Sequence, residues 1–143
     1  MAIHFHPDPG TVLICDFSGF RAPEMIKRRP VVVISPRFRQ RNVLCTIVPL
    51  SLTRPRTVCD FHCELTFDPV LPDPYNAPRM WVKADMIYAV SFDRLSLPCL
   101  GKDETGKRIY DVRRIGEADL LQVRTCVLNG MGLGGLTDGL VAL

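Results

Sequence analysis

Nothing in the 143-residue chain approaches the ~20 consecutive apolar residues that cross a bilayer. The N-terminus, Met1-Ala2-Ile3-His4-Phe5-His6-Pro7-Asp8-Pro9, lacks the charged-then-apolar layout of a secretion signal. A cytoplasmic protein that makes no membrane contact is expected. Neither sign of charge dominates: 18 Lys and Arg stand against 15 Asp and Glu, a formal net charge of +3. That excludes a histone-like polybasic binder and permits an anionic partner. The six cysteines, at 15, 45, 59, 63, 99 and 126, form no CxxC pair. In a reducing compartment they read as free thiols serving as small apolar residues. There is no Walker loop, no GxGxxG after a strand and no HExxH, and no cofactor is expected.

What is present is a run of short β-branched segments. Thr11 to Phe17 reads as a strand, followed by a charged loop from Ser18 to Arg29. Pro30 opens Val31-Val32-Val33-Ile34-Ser35, a run suited to a strand buried on both faces. Val43 to Val48 is the next strand, which Pro49 is expected to stop, and Val58 to Phe67 suits another. The four prolines between Pro69 and Pro78 mark a loop. Met80 to Val90 is extended with a bend near Asp85, and Lys102 to Lys107 is a hairpin turn. Gly116 to Asn129 has the apolar spacing of an amphipathic helix, with Gly130 as its stop. Residues 131–143 form a Gly-rich tail that reads as loose. No repeat and no second domain interrupts residues 1–143. The expected fold is a small, mainly β barrel with one helix packed on it.

Two clusters invite chemistry and lose it on inspection. Cys59-Asp60-Phe61-His62-Cys63 puts both cysteines on one strand face and His62 on the other, with no fourth ligand at zinc spacing; cysteines lining a core face are the simpler reading. His4 and His6 read as part of a solvated end. The loop before Pro30 is richer, with Arg21, Glu24, Lys27, Arg28 and Arg29. For Arg21, Lys27 and Arg28, charge alone does not separate a solvated loop from phosphate contact. Arg29 differs because it abuts the buried run, so its backbone is held and its five donors suit phosphate oxygens. Ser51 at a strand end and Asp85 inside an apolar strand are each weak alone.

Taken in order, Pro9-Gly10-Thr11-Val12, Asp16-Phe17, Glu24, Arg29 to Ser35, Val48-Pro49-Leu50-Ser51 and Trp81-Val82-Lys83-Ala84-Asp85 resemble the MazF/PemK toxins, including the Kid-like members. These are the ribonuclease partners of bacterial toxin–antitoxin pairs. The resemblance implies a small SH3-like β-barrel with a C-terminal helix, a homodimer, and a cognate antitoxin partner. It implies metal-independent cleavage of single-stranded RNA that leaves a 2′,3′-cyclic phosphate. Carried over by position, Arg29 acts on the scissile phosphate, Ser51 is the hydroxyl beside it, and Asp85 is a general base. Lys83 stands where Kid-like members have arginine. Glu24 matches the acidic residue of the mobile loop and, with Lys27, Arg28 and Arg54, is a candidate substrate contact. Pro23 replaces the His or Ser of many relatives, and the stretches before Trp81 and from Cys99 to Tyr110 are longer than in compact ones. The alternatives are a gyrase-binding toxin of the CcdB type, which has no use for the Arg29, Ser51 and Asp85 set, and an inactive RNA-binding or interaction module.

Overall fold

The computed structural model describes residues 2–137. Its strands are β1 (Val12–Cys15), β2 (Arg29–Val33), β3 (Leu44–Ser51), β4 (His62–Thr66), β5 (Arg79–Lys83), β6 (Tyr88–Ser91), β7 (Leu95–Ser96), β8 (Cys99–Lys102) and β9 (Arg108–Tyr110). One α-helix, α1 (Glu117–Gly130), follows. Seven strands join in one antiparallel sheet whose path runs β4-β5-β3-β2-β1-β7, with β6 added on β3; β8 and β9 form a separate hairpin. This is the mainly β chain with a C-terminal helix that the sequence predicts. The ladder itself is an open path ending at β4 and β7. None of the α-helices among the described residues is long and apolar enough to cross a membrane.

Strand parity divides the apolar residues into two cores. On one face Val12, Val32, Val48, Leu50, Met80 and Val82 pack with Val123, Cys126 and Val127 of α1. On the other face Leu13, Cys15, Val31, Val33, Cys45 and Ile47 pack with Phe17, Val90 and Leu95. Each residue of β1, and each of β2 except Arg29, is therefore buried. That double coverage is why the run after Pro30 is β-branched throughout instead of alternating.

Pro49 does not stop β3. The strand changes partners along its length, pairing β6 through Ile47, β2 from Ile47 to Pro49, and β5 at Leu50 and Ser51. Pro49 falls between the β6 and β5 ladders, where a missing N–H costs the sheet least. Gly130 is the last residue of the helix, not the left-handed residue just beyond it. The stop is Gly132, at φ +74°. Its N–H donates to the Asn129 carbonyl at 3.1 Å and the Leu133 N–H to the Leu128 carbonyl at 2.8 Å, the paired bonds of a left-handed C-terminal cap. Of the predicted tail, 131–137 is turned back by these bonds, and 138–143 lies outside the described residues.

His6 is not part of a solvated end. It is buried, with Nδ1 at 2.7 Å from the Pro7 carbonyl and Nε2 at 3.2 Å from Ser35 Oγ, and its ring meets the Phe92 ring edge-on. The Ile3 N–H donates to the Leu95 carbonyl and the Arg37 guanidinium to the His6 carbonyl, each at 3.0 Å, which draws the segment in.

Candidate active site

Arg29 opens β2 opposite Cys15 of β1, so its backbone is fixed by the ladder. Its Nε is buried and has no hydrogen-bond partner among the described residues, and it makes no ion pair there. An orphaned buried donor costs about 1–3 kcal/mol. Burial holds the guanidinium below its ordinary pKa, an effect opposed by Tyr88 and Tyr75 nearby. Those tyrosines also staple the chain leading into Arg29. The Tyr88 hydroxyl accepts the Met25 N–H at 3.0 Å, and the Tyr75 hydroxyl donates to the Arg28 carbonyl at 3.4 Å.

Ser51 ends β3 directly opposite Trp81 of β5. Its Oγ accepts the Thr53 N–H at 3.1 Å, which leaves the hydroxyl proton free to donate. Arg29 and Ser51 line one groove of ≈ 200 Å³ together with Lys27, Arg28 and Tyr75. The groove gathers three cations and has no carboxylate in its lining.

Register extends this face of the sheet. Trp81 and Lys83 are two residues apart, so both lie on the Ser51 side, and Lys83 stands directly opposite His62 of β4. The intervening Val82 and Cys63 point to the α1 core. Burial lowers the Lys83 pKa; Asp85 raises it and Arg29 lowers it further. His62 is likewise lowered by burial and by Lys83 and raised by Asp85. Its Nδ1 accepts the Cys59 N–H at 3.0 Å. Asp85 is exposed in the turn after β5, which the Met86 N–H closes onto the Lys83 carbonyl at 3.0 Å. Cys59 precedes the strand in a turn and is only half-buried, whereas Cys63 is buried in the core and Phe61 packs against the same core.

The candidates from sequence thus divide. Arg29, Ser51, Lys27 and Arg28 come together in the groove; Lys83 and Asp85 do not line it, and Asp85 acts on Lys83 through its charge. Glu24 is spent locally, its carboxylate accepting the Arg21 N–H at 2.9 Å. Arg54 is exposed beyond β3 and does not line the groove. Arg28 also reaches Asp16 in an exposed 3.5 Å ion pair. Sequence reading missed Tyr75, Tyr88, Trp81 and His62. Tyr75 was submerged among prolines, and the others acquire meaning only through cross-strand register.

The chain is 32% identical over 116 residues to the uncharacterized protein YifN of Escherichia coli (strain K12), across 67% of this chain and 76% of YifN. Its fold is similar to MazF of Deinococcus radiodurans, with TM-score 0.58 and 18% identity over 90% of this chain and 99% of that one. It is also similar to an endoribonuclease from a mycobacterial species solved with its cognate antitoxin, with TM-score 0.57 and 22% identity over 89% and 96% of the two chains. Residues 8–127 match the model of the PemK-like, MazF-like toxins of type II toxin–antitoxin systems, and the chain belongs to that family.

Proposed function

We propose that this protein is a cytoplasmic toxin endoribonuclease that cuts single-stranded RNA, mRNA above all, at the Arg29–Ser51 groove. The buried Nε of Arg29, without a hydrogen-bond partner among the described residues, in one groove with the Ser51 hydroxyl carries the reading. Such a donor set suits a phosphate oxygen. Asp85 takes the proton of the RNA 2′-OH, the 2′-oxygen bonds to phosphorus, and the bond from phosphorus to the 5′-oxygen breaks. The products are a 2′,3′-cyclic phosphate and a 5′-hydroxyl. Arg29 and Ser51 hold the charge that accumulates on the phosphorane. Lys83 gives its proton to the departing oxygen, a role that its lowered pKa favours over Arg29, whose class has a pKa above ~12. Charge and proton transfer are thus supplied by side chains, with no step through a metal. Translation and growth would be inhibited until a cognate antitoxin covers the cationic groove, and two copies of the chain form the active dimer.

The test is incubation of purified protein with unstructured RNA in EDTA, followed by mapping of the ends. Cyclic-phosphate and 5′-hydroxyl ends are expected, and a single 2′-deoxy nucleotide at the cut site blocks cutting. Strict dependence on a divalent metal would overturn the mechanism, and full activity in Arg29→Ala would overturn the site. A wild type that cuts no RNA but stalls gyrase belongs to the other toxin class.

A further inference from the structure

The β8–β9 hairpin has no part in the site described above, and the proline-rich loop between Pro69 and Pro78 enters it only through Tyr75. They face one another across a cavity of ≈ 390 Å³. Tyr75 and Asp73 of the loop line it, as do Tyr110 and Arg108 of β9 and Arg28 from beside the catalytic groove. Arg28 and Tyr75 line both cavities, so the larger one opens directly beside the one that holds Arg29 and Ser51.

The lining matches one ligand chemistry. Two phenol rings offer flat apolar surfaces on which an unstacked base can lie, and every base has such a face. Two guanidiniums against a single carboxylate leave the cavity positive, as an RNA backbone requires. The volume is within the range of sites that enclose small molecules. Tyr75 is anchored through its hydroxyl to the Arg28 carbonyl, which fixes one wall relative to the cutting site. An RNA strand whose phosphate lies at Arg29 has its neighbouring nucleotide beside this opening.

We infer that the cavity is a nucleotide subsite. It takes the base next to the scissile phosphate on Tyr110 and Tyr75, and that residue's own phosphate on Arg108 and Arg28. The inference rests on the ribonuclease reading. It makes the hairpin and the proline-rich loop the parts that choose which RNA sequence is cut.

The experiment uses a cleavage-site RNA made uncuttable by one 2′-deoxy nucleotide, trimmed one residue at a time from each end. Affinity is measured for wild type, Tyr110→Ala, Tyr110→Phe and Arg108→Ala. One trimming step should cost wild type and Tyr110→Phe roughly tenfold, the order of a base–aromatic stack. Tyr110→Ala should lack that step. Arg108→Ala should weaken binding to all sequences and reduce the salt dependence by about one charge. Arg108 is exposed and Tyr110 half-buried on a hairpin outside the main sheet, so melting temperatures should change little. If Tyr110→Ala shows the same trimming step and the same cut sites as an active wild type, the subsite is refuted and the ribonuclease reading stands. If wild type neither binds nor cuts RNA, that reading fails and the subsite with it.

Discussion

Gly130, the last residue of α1, lies so close to the turn after β5 that a β-carbon on it would sit 3.2 Å from the Cα of Asp85. The same β-carbon would be 3.3 Å from the Ala84 carbonyl oxygen and from the Asp85 nitrogen. All three neighbours are backbone, so none can swing aside as a side chain would. The adjacent Asn129 donates to the Asp60 carbonyl at 2.9 Å, beside the turn that orients His62. The end of the helix therefore buttresses both turns that present the Lys83 face.

Gly130→Ala should consequently act on the site more than on the fold. Alanine favours a helix over glycine by roughly 1 kcal/mol, and the crowding against Asp85 costs about 1–3 kcal/mol unless that turn moves. Melting temperature should change little while RNA cutting falls severalfold, and Gly130→Val should fall further. Full activity in Gly130→Val would remove Asp85 from the mechanism.

Arg29→Met separates function from stability. The arginine is desolvated, and its Nε has no partner among the described residues. Methionine keeps much of the apolar stem and removes both burdens. Cutting should drop roughly 1,000-fold, the upper range for losing a preorganised charge donor. Melting should rise by about 3–5 °C for ~1 kcal/mol regained. Thermal melts beside single-turnover rates check both; a melting temperature lowered by several degrees would make Arg29 structural.

How far the sequence reveals this site depends on which contacts are local. Arg29 was recognisable because Pro30 and the valines after it announce a buried strand. The partnership of Arg29 with Ser51 followed from motif order and coincides with strand parity, since both sit two residues from the paired Val31 and Pro49. Pairings across β3–β5 and β4–β5 were illegible, because register is set by tertiary packing. Hence His62 read as a failed zinc ligand and Trp81 as a motif letter. Pro49 and Gly130 misled for a shared reason. Each was read by its local conformational habit, whereas partner exchange along β3 and close approach to Asp85 decide their roles.

Ser51 tests the hydroxyl. Because its oxygen already accepts the Thr53 N–H, the proton points outward as a donor. Ser51→Ala should slow cutting roughly 100-fold with RNA affinity nearly unchanged, while Ser51→Thr should retain most of the rate. Equal rates for alanine and serine would leave the groove to its cations.

Lys83 gives the sharpest pH test. Its pKa is lowered from the ordinary 10.5, first by burial and then by the charge of Arg29, with Asp85 opposing. A lysine so placed is charged at low pH and loses its proton earlier than an exposed lysine as pH rises. Activity that needs the protonated form is therefore complete below that lowered pKa and lost on the alkaline side before 10.5. Lys83→Arg keeps the charge to far higher pH but makes a poor proton donor. Its alkaline limb should move upward or vanish, while the plateau rate falls about 100-fold, within the range for losing a general acid. An RNA whose 5′-bridging oxygen is replaced by sulfur has a leaving group that departs without a proton, and should restore the rate of Lys83→Arg towards wild type. Rescue assigns Lys83 the acid's role. A variant that is fully active on ordinary RNA, or that the sulfur substrate fails to rescue, reduces Lys83 to a charge that steadies the phosphorane.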